Sequence, residues 1–201
     1  MPRKTGKIKS QKTILIVVEG YTEKIYFSQM KSAERIQGVT IIPRLAKHSS
    51  LISILDTAIK EFEGRIYDSI WCVFDRDILL SSNVSNELAL KLKQATSLGI
   101  KFADSLPSFE IWFLLHFELP KKYYKNQEML IKDLKNYIQN YEKNSDWFIK
   151  TNLYAMLRKL LNIAKTNSKI LEKRNADSFD FNASMCNVYK LFDEIFNCVK
   201  D

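Results

Sequence analysis

The N-terminal half of the chain alternates short apolar runs with segments of helical spacing, and this alternation constrains the fold more than any other feature. Residues 13–18, TILIVV, form a continuous, largely β-branched run of the kind found in strands buried on both faces. Further apolar runs lie at 39–45, 66–74 and 100–103, with predicted helices between them. Strands that alternate with helices predict an α/β fold whose sheet is mostly parallel and four-stranded.

From Pro107 onward the pattern becomes almost wholly helical. Helices are predicted over residues 107–117, 127–141, 152–173 and 183–199. We therefore expect a basic tail without regular structure over 1–12, an α/β domain over 13–118 and a helical C-terminal extension over 119–201.

The net charge of +8 over 201 residues is unevenly distributed. Residues 1–12 carry five basic and no acidic side chains, residues 13–120 are slightly acidic, and residues 121–174 carry 13 basic and 5 acidic side chains. Basic segments of this kind suit a polyanionic partner, so we expect contact with nucleic acid, DNA or RNA. The alternative is an ordinary solvated helical surface rich in lysine.

Composition excludes several other classes of protein. The 3 cysteines are scattered without C-x-x-C spacing, which argues against a disulfide framework and against a zinc site. No apolar run is long enough to span a membrane and no secretory leader is visible, so we expect a cytoplasmic protein without membrane contact. No G-x-x-x-x-G-K-[ST] motif is present, so ATP hydrolysis by this chain is not expected.

Acidic side chains follow two of the predicted strands at the point where each strand ends. Glu19 follows the first strand, with Glu23 one helical turn further on, and Asp75 and Asp77 follow the third. Parallel strands present their carboxyl ends at one edge of the sheet, so these four acids converge if the two strands are neighbours. Two residues apart in an extended chain, the aspartates would point to the same side. Clustered oxygen ligands suit Mg²⁺ or Mn²⁺, whereas the alternative is that the acids cap helices.

Other polar residues lie near the same predicted edge. Glu110 lies in the first turn of the helix after Pro107, where it either joins the cluster or complements the helix dipole. Lys47 and His48 follow the second strand and are candidates for binding substrate phosphate, although an ordinary loop explains them equally well. Arg76, between the aspartates, is expected to pair with an acid or to reach phosphate.

Aromatic side chains are assigned to two groups. We expect Trp112, Phe113, Phe117, Trp147 and Phe148 to pack in the core, with His116 partly buried beside them. Tyrosines interleaved with lysines in the basic C-terminal block fit base stacking somewhat better. These are Tyr123, Tyr124, Tyr137, Tyr141 and Tyr154.

An acid after the first strand and a D-x-D after the third resemble the Toprim fold, a Rossmann-like domain of topoisomerases, primases and OLD-type nucleases. More narrowly, the segments ILIVVEGYTEKIYF, WCVFDRD and SFEIWFLLHF resemble the RloB (AbiLii-like) family, which occurs with restriction and phage-defence loci. The segment that begins at Asn182 also resembles that family. Two departures are Leu106-Pro107-Ser108, where the family usually has an Asn-Pro-Cys-type turn, and Ala183 in place of a proline.

The resemblance implies Mg²⁺ (or Mn²⁺) held by the acids and phosphodiester cleavage. It implies that Asp75 and Asp77 are metal ligands, that Glu19 is a ligand or general base, and that Glu23 and Glu110 complete a second site. The spacing from Ser108 to Glu110 is one residue shorter than the S-x-x-E of the OLD-type pattern. Ser108 is retained as a candidate substrate contact.

Three functional hypotheses stay open from the sequence. The first is a metal-dependent endonuclease in bacterial phage defence. The second is a nucleic-acid-binding subunit without catalysis, whose acids serve structure or regulation and whose binding is salt-sensitive. The third is an effector that acts only beside a partner ATPase. The chain is also compatible with an oligomer.

Overall fold

The computed structural model describes residues 12–36, 39–80, 84–177 and 184–198. The strands are β1 (Lys12–Val18), β2 (Val39–Leu45), β3 (Ser69–Asp75), β4 (Lys101–Leu106) and β5 (Met185–Cys186). The helices are α1 (Tyr21–Glu34), α2 (Leu51–Glu63), α3 (Asp77–Leu80), α4 (Asn86–Ser97), α5 (Glu110–Leu114), α6 (Gln127–Leu134), α7 (Ser145–Lys150), α8 (Leu153–Leu157), α9 (Leu161–Asp177) and α10 (Val188–Asn197). The predicted basic tail, except Lys12, and Asn182 of the C-terminal motif lie outside the described residues.

The sheet has the strand order β2-β1-β3-β4-β5. The first four strands pair in parallel, which confirms the predicted sheet, and the arrangement is consistent with a Rossmann-like fold. Val18, the last residue of β1, lies opposite Leu45, the last residue of β2, and opposite Val73, so β3 continues two residues further, to Asp75. The antiparallel β5 was not predicted, because two residues are too short to show a period.

Alternating residues of β1 bury their side chains on opposite faces of the sheet. Ile14 and Ile16 join a core formed with α1 and the C-terminal helices. Leu15 and Val17 join a second core, in which α2 and α4 supply most of the helical side chains. A strand covered on both faces reads as a continuous apolar run, which explains why TILIVV could be recognised from sequence.

The helix expected to start at Pro107 is shorter than predicted. It begins at Glu110, after a cis peptide bond between Leu106 and Pro107, and ends at Leu114. The N–H groups of His116 and Phe117 bond to carbonyls three residues back, so the chain continues to Phe117 as tight turns.

The C-terminal helices are also more broken than the apolar spacing suggested. The predicted helix over 127–141 ends at Leu134, and tight turns carry Ile138 and Tyr141 into the core. The segment over 152–173 contains two helices joined by a 3₁₀ turn at Arg158–Leu160. Helix α7 was missed, although Asn144 caps it by accepting a hydrogen bond from the N–H of Trp147.

Within the described ranges, none of the helices combines the length and the apolar character needed to cross a bilayer.

Candidate functional site

The neighbouring strands β1 and β3 bring Glu19 and Asp75 together at the carboxyl edge of the sheet. Glu19 Oε2 accepts a hydrogen bond of 3.2 Å from the backbone N–H of Asp75. Asp75 Oδ1 in turn accepts one of 2.8 Å from the N–H of Phe109, just before α5. Each carboxylate is thus fixed through one oxygen to the backbone of another element.

Glu23 lies in the first turn of α1 and points back toward the start of that helix. Its Oε2 accepts a hydrogen bond of 3.1 Å from the N–H of Gly20, and a Cβ atom at Gly20 would stand only 3.0 Å from the same oxygen. A glycine therefore leaves room for the carboxylate. Burial, followed by the negative charges of Glu110 and Glu19, raises the pKa of Glu23 to about 7.

Glu110, in the first turn of α5, is fully buried and fully hydrogen-bonded. Its carboxylate accepts from Ser108 Oγ at 2.6 Å, from Gln127 Nε2 at 2.8 Å and from the Tyr141 hydroxyl at 3.0 Å. Lys143 Nζ forms an ion pair with it at 3.1 Å. Burial alone would raise the pKa of Glu110, but the Lys143 ammonium and these hydrogen bonds lower it below its usual value.

Lys143 supplies the positive charge of the site from the loop between α6 and α7. Burial opposes its charge, but neighbouring carboxylates, chiefly Glu110 and Asp75, raise the pKa of the ammonium above its usual value. The sequence analysis counted Lys143 only as part of the basic block. It follows Glu110 by 33 residues in a segment without regular structure, so no spacing pattern could connect the two.

The charges of this cluster are unbalanced. Four carboxylates, those of Glu19, Glu23, Asp75 and Glu110, surround one ammonium. Burial, and after it the charges of Glu23 and Glu110, raises the pKa of Asp75 well above its usual value. Burial also raises the pKa of Glu19, although the Asp75 N–H opposes this effect. The pKa is thus raised at three of the four acids, mainly by burial and further by the repulsion between neighbouring carboxylates.

Asp77 does not stand in the extended segment that was predicted. Strand β3 ends at Asp75, and Asp77 is the first residue of the short helix α3, where it is exposed. We expected an extended segment that would point both aspartates to one side, and this was wrong because the segment is not extended at Asp77. Both aspartates nevertheless line the same cleft, because the turn at Arg76 carries Asp77 over the end of the strand.

The predicted substrate contacts lie at different distances from this cluster. Ser108 is buried and donates its hydroxyl to Glu110, as described above. Arg76 was expected either to pair with an acid or to reach phosphate, and it forms an ion pair with Asp104 at 3.3 Å. Lys47 and His48 line a separate depression between the end of β2 and helix α2, so the structure does not bring them together with the carboxylates.

Two open clefts flank the carboxylate cluster. The larger, of about 720 Å³, is lined by Asp75, Asp77 and Lys143 together with Tyr123 and residues 125–128. The smaller, of about 310 Å³, is lined by Glu19, Glu23, Asp75, Lys143 and the segments around them. Because Asp75 and Lys143 line both clefts, the charged cluster borders each of them, and we call this shared border the junction of the clefts.

The donor chemistry of the cluster fits a hard divalent cation. All four carboxylates offer oxygen ligands, and their shared excess of negative charge is what a divalent ion would relieve. Yet among the residues that the structure describes, no three His, Cys, Asp or Glu side chains are already arranged to hold a metal ion. Binding a cation would thus require some of these side chains to change their hydrogen bonds.

The aromatic predictions are partly confirmed. Trp112, Phe113 and Phe148 are buried, while Phe117 and Trp147 pack against the same core. Tyr124, Tyr141 and Tyr154 are buried too, so assigning them to base stacking was wrong. Tyr154 enters the core from α8, and Tyr124 and Tyr141 enter it from irregular segments, despite the lysines around them.

His116 is buried, as expected, and its Nδ1 lies 2.8 Å from the Trp112 carbonyl. Burial lowers the pKa of its imidazole to about 4, so the ring is neutral at pH 7. His116 is thus a structural group of the core rather than part of the charged cluster.

Comparison with known protein families gives one match. A family model described as RloB-like protein matches residues 14–195, a range that includes every member of the carboxylate cluster and Lys143. A search of curated proteins finds no match.

Proposed function

We propose that this chain, which belongs to the RloB-like family, is a metal-dependent phosphodiesterase that cleaves DNA or RNA at the carboxylate cluster. The observation that carries the proposal is the placement of four carboxylates around a single ammonium. Glu19 and Asp75 stand at the carboxyl ends of adjacent parallel strands, where open α/β sheets bind their ligands, and Glu23 and Glu110 join them from the first turns of α1 and α5. Two open clefts give a polymeric substrate access to the cluster from both sides.

Glu19, Glu23 and Asp75 are the residues that would hold Mg²⁺ or Mn²⁺, with Asp77 reaching the same place from the larger cleft. Bound there, the ion would supply Lewis acidity, which lowers the pKa of water and stabilises the charge on a leaving oxygen. Glu110 was expected as a further ligand. Its three hydrogen bonds and its ion pair make it better suited to position Lys143.

The chain's own groups supply the remaining chemistry. Burial raises the pKa of both Glu19 and Asp75, which makes either carboxylate a stronger proton acceptor than an ordinary acidic side chain. Lys143 brings an ammonium to the junction of the clefts, where it would contact a non-bridging phosphate oxygen. Its partner Glu110 keeps it there.

The decisive experiment compares the parent protein with Asp75→Asn in a cleavage assay on single-stranded and duplex DNA and RNA, with Mg²⁺ or Mn²⁺ present. Removing one ligand carboxylate is expected to reduce cleavage by about 100-fold or more. Asp56→Asn serves as the matched control, because Asp56 is an exposed aspartate of α2 that pairs with Lys91 outside both clefts. Full activity in Asp75→Asn would contradict the assignment of the site.

A second candidate function is a nucleic-acid-binding subunit without catalysis that works beside a partner ATPase. It is favoured by the saturation of Glu110 and by the lack, among the described residues, of a ready-made metal-ligating trio. In that case Lys143 is the permanent counter-ion of the cluster. Binding should then be salt-sensitive, unaffected by a chelator and unaccompanied by cleavage.

The proposed biological setting is bacterial phage defence or restriction. It rests on the family assignment alone, and a phage challenge of cells that express the parent or Asp75→Asn tests it. Loss of protection in the variant would link the carboxylate cluster to that role, and equal protection would separate them.

A further inference from the structure

Two exposed tyrosines stand on either side of the carboxylate cluster. Tyr21 is 59% exposed and lines the smaller cleft, while Tyr123 is 39% exposed and lines the larger one. The buried tyrosines of the C-terminal region have no such access. Bases of a single strand can stack on exposed aromatic rings, and here one such ring lies on each side of the charged cluster.

The two clefts adjoin the same two side chains. Asp75 and Lys143 line both clefts, so neighbouring groups of one ligand could occupy the two clefts on either side of these residues. Their volumes, about 720 and 310 Å³, lie within the range of about 300–1,000 Å³ typical of sites for small molecules. Each cleft therefore has room for a group of the size of a nucleotide.

Lysine side chains outside the cluster lie near each of the two clefts. Lys125 lines the larger cleft beside Tyr123, and it forms no ion pair within the described part of the chain. On the other side, Lys24 and Tyr21 line a groove that adjoins the smaller cleft through Tyr21 and Ser145. A lysine near each tyrosine can meet the phosphate next to a stacked base.

The carboxylates themselves are recessed. Glu23 is buried, and Glu19 and Asp75 are only partly exposed at the bottom of the junction. A rigid duplex keeps its bases paired and stacked, so it cannot offer a free base face to either tyrosine. A single strand can splay its bases outward and lower one phosphate between them.

We propose that the site binds single-stranded nucleic acid, with one base stacked on Tyr21, another on Tyr123, and the phosphate between them at the Lys143 ammonium. This inference rests on the proposed function, since it names the substrate class of the same site. It assigns Tyr21 and Tyr123 to substrate positioning, with Lys125 as a phosphate contact.

The test measures binding in EDTA, so that it does not depend on a metal or on cleavage. Fluorescence anisotropy of a labelled oligonucleotide, as DNA and as RNA, gives the dissociation constant for the single strand and for the same sequence as a duplex. The parent is expected to prefer the single strand. Tyr21→Ala and Tyr123→Ala are each expected to weaken binding by about tenfold, because stacking on one ring is lost.

Matched variants separate stacking from other effects. Tyr21→Phe and Tyr123→Phe each keep the aromatic ring and should retain the affinity of the parent. Tyr137→Ala removes a tyrosine of similar exposure, 43%, that lines neither cleft, and it should leave affinity unchanged. Lys125→Ala should weaken binding and reduce its salt dependence, whereas Lys135→Ala, on an exposed turn outside both clefts, should not.

Equal or tighter binding of the duplex, or unchanged affinity in both tyrosine-to-alanine variants, would overturn the inference. These results are independent of the cleavage assay. Cleavage that depends on Asp75 but shows no preference for single strands would leave the proposed function standing and remove this inference. Tyrosine-dependent binding that prefers the single strand, without any cleavage, would support this inference and contradict the proposed function.

Discussion

The two faces of the central sheet are packed with different chemistry. The face covered by α2 and α4 has a mostly aliphatic core, exemplified by Ile54, Leu55 and Leu88. The other face is covered by α1 and the C-terminal helices and is rich in aromatic rings. The buried glutamates Glu23 and Glu110 also belong to elements on that second face.

The difference shows how a buried charged site can be supported in this fold. Aliphatic side chains offer no hydrogen bonds, whereas tyrosine presents a large apolar ring with a polar tip. Tyr141 uses that tip to donate to Glu110 while its ring packs against Phe113 and Phe148. The aromatic face can thus bury carboxylates at the edge of the sheet, and the aliphatic face serves mainly to stabilise the fold.

The strongest test of this comparison removes the best-satisfied charge of the aromatic face. Glu110→Gln should lower the free energy of unfolding by about 3 kcal/mol, because three hydrogen-bond donors and the Lys143 ammonium lose a charged acceptor. Urea denaturation at pH 7 measures this loss.

The control for this prediction lies on the aliphatic side of the sheet. Asp56→Asn on α2 breaks an exposed ion pair with Lys91, so it should change stability by no more than about 0.5 kcal/mol. Similar effects for Glu110→Gln and Asp56→Asn would mean that the charge on the aromatic face is not structurally important.

A second prediction uses pH to probe the same face away from the charged cluster. Burial lowers the pKa of His116 to about 4, whereas an unfolded histidine titrates near 6.5. Between these values the unfolded state binds more protons at His116, so the contribution of His116 to stability falls as pH decreases from 6.5 toward 4 and is constant above 6.5. The contribution lost is about 2–3 kcal/mol.

The measurement compares urea denaturation of the parent and of His116→Gln between pH 4 and pH 7. Glutamine does not titrate, so the free energy of unfolding of the parent should decrease relative to that of His116→Gln as pH falls. Taking the difference cancels the carboxylates that both proteins share. A pH-independent difference would show that the pKa of His116 is the same in the folded and the unfolded protein.

The sequence was sufficient to locate the half of the site that is built by strands. Apolar runs identified β1 and β3, and the rule for parallel sheets then placed Glu19 and Asp75 at one edge. Glu23 followed from its spacing of one helical turn.

The other half of the site depends on tertiary packing and could not be predicted in the same way. Lys143 reaches Glu110 from a segment without regular structure, whereas Gln127 and Tyr141 lie at the two ends of the predicted helix 127–141, whose apolar spacing does not show what their polar groups contact. The same limit applies to the helix boundaries after Leu134, where tight turns replace helix while apolar residues still enter the core. Local patterns reveal which residues are buried, but the path by which the chain buries them is set by contacts distant in sequence.

The smallest predicted effect concerns the least satisfied carboxylate of the aromatic face. Glu23 has a pKa of about 7 in the folded protein, against about 4.5 for an ordinary glutamate. The folded state therefore binds more protons between these values, so stability decreases as pH rises from 4.5 to 7. Glu23→Gln removes this penalty and should stabilise the metal-free protein by about 1–2 kcal/mol at pH 8, with little change at pH 5.

Thermal or urea denaturation in EDTA at both pH values measures the effect of Glu23→Gln, and repeating it in Mg²⁺ adds the functional test. If the parent is stabilised by Mg²⁺ and the variant is not, the carboxylate holds a cation at the expense of stability in its absence, as functional sites commonly do. If Glu23→Gln destabilises the protein at pH 8, its hydrogen bond to Gly20 outweighs the repulsion within the cluster. Glu23 would then resemble Glu110 as a structural group, and the proposed contrast between the two glutamates would be wrong.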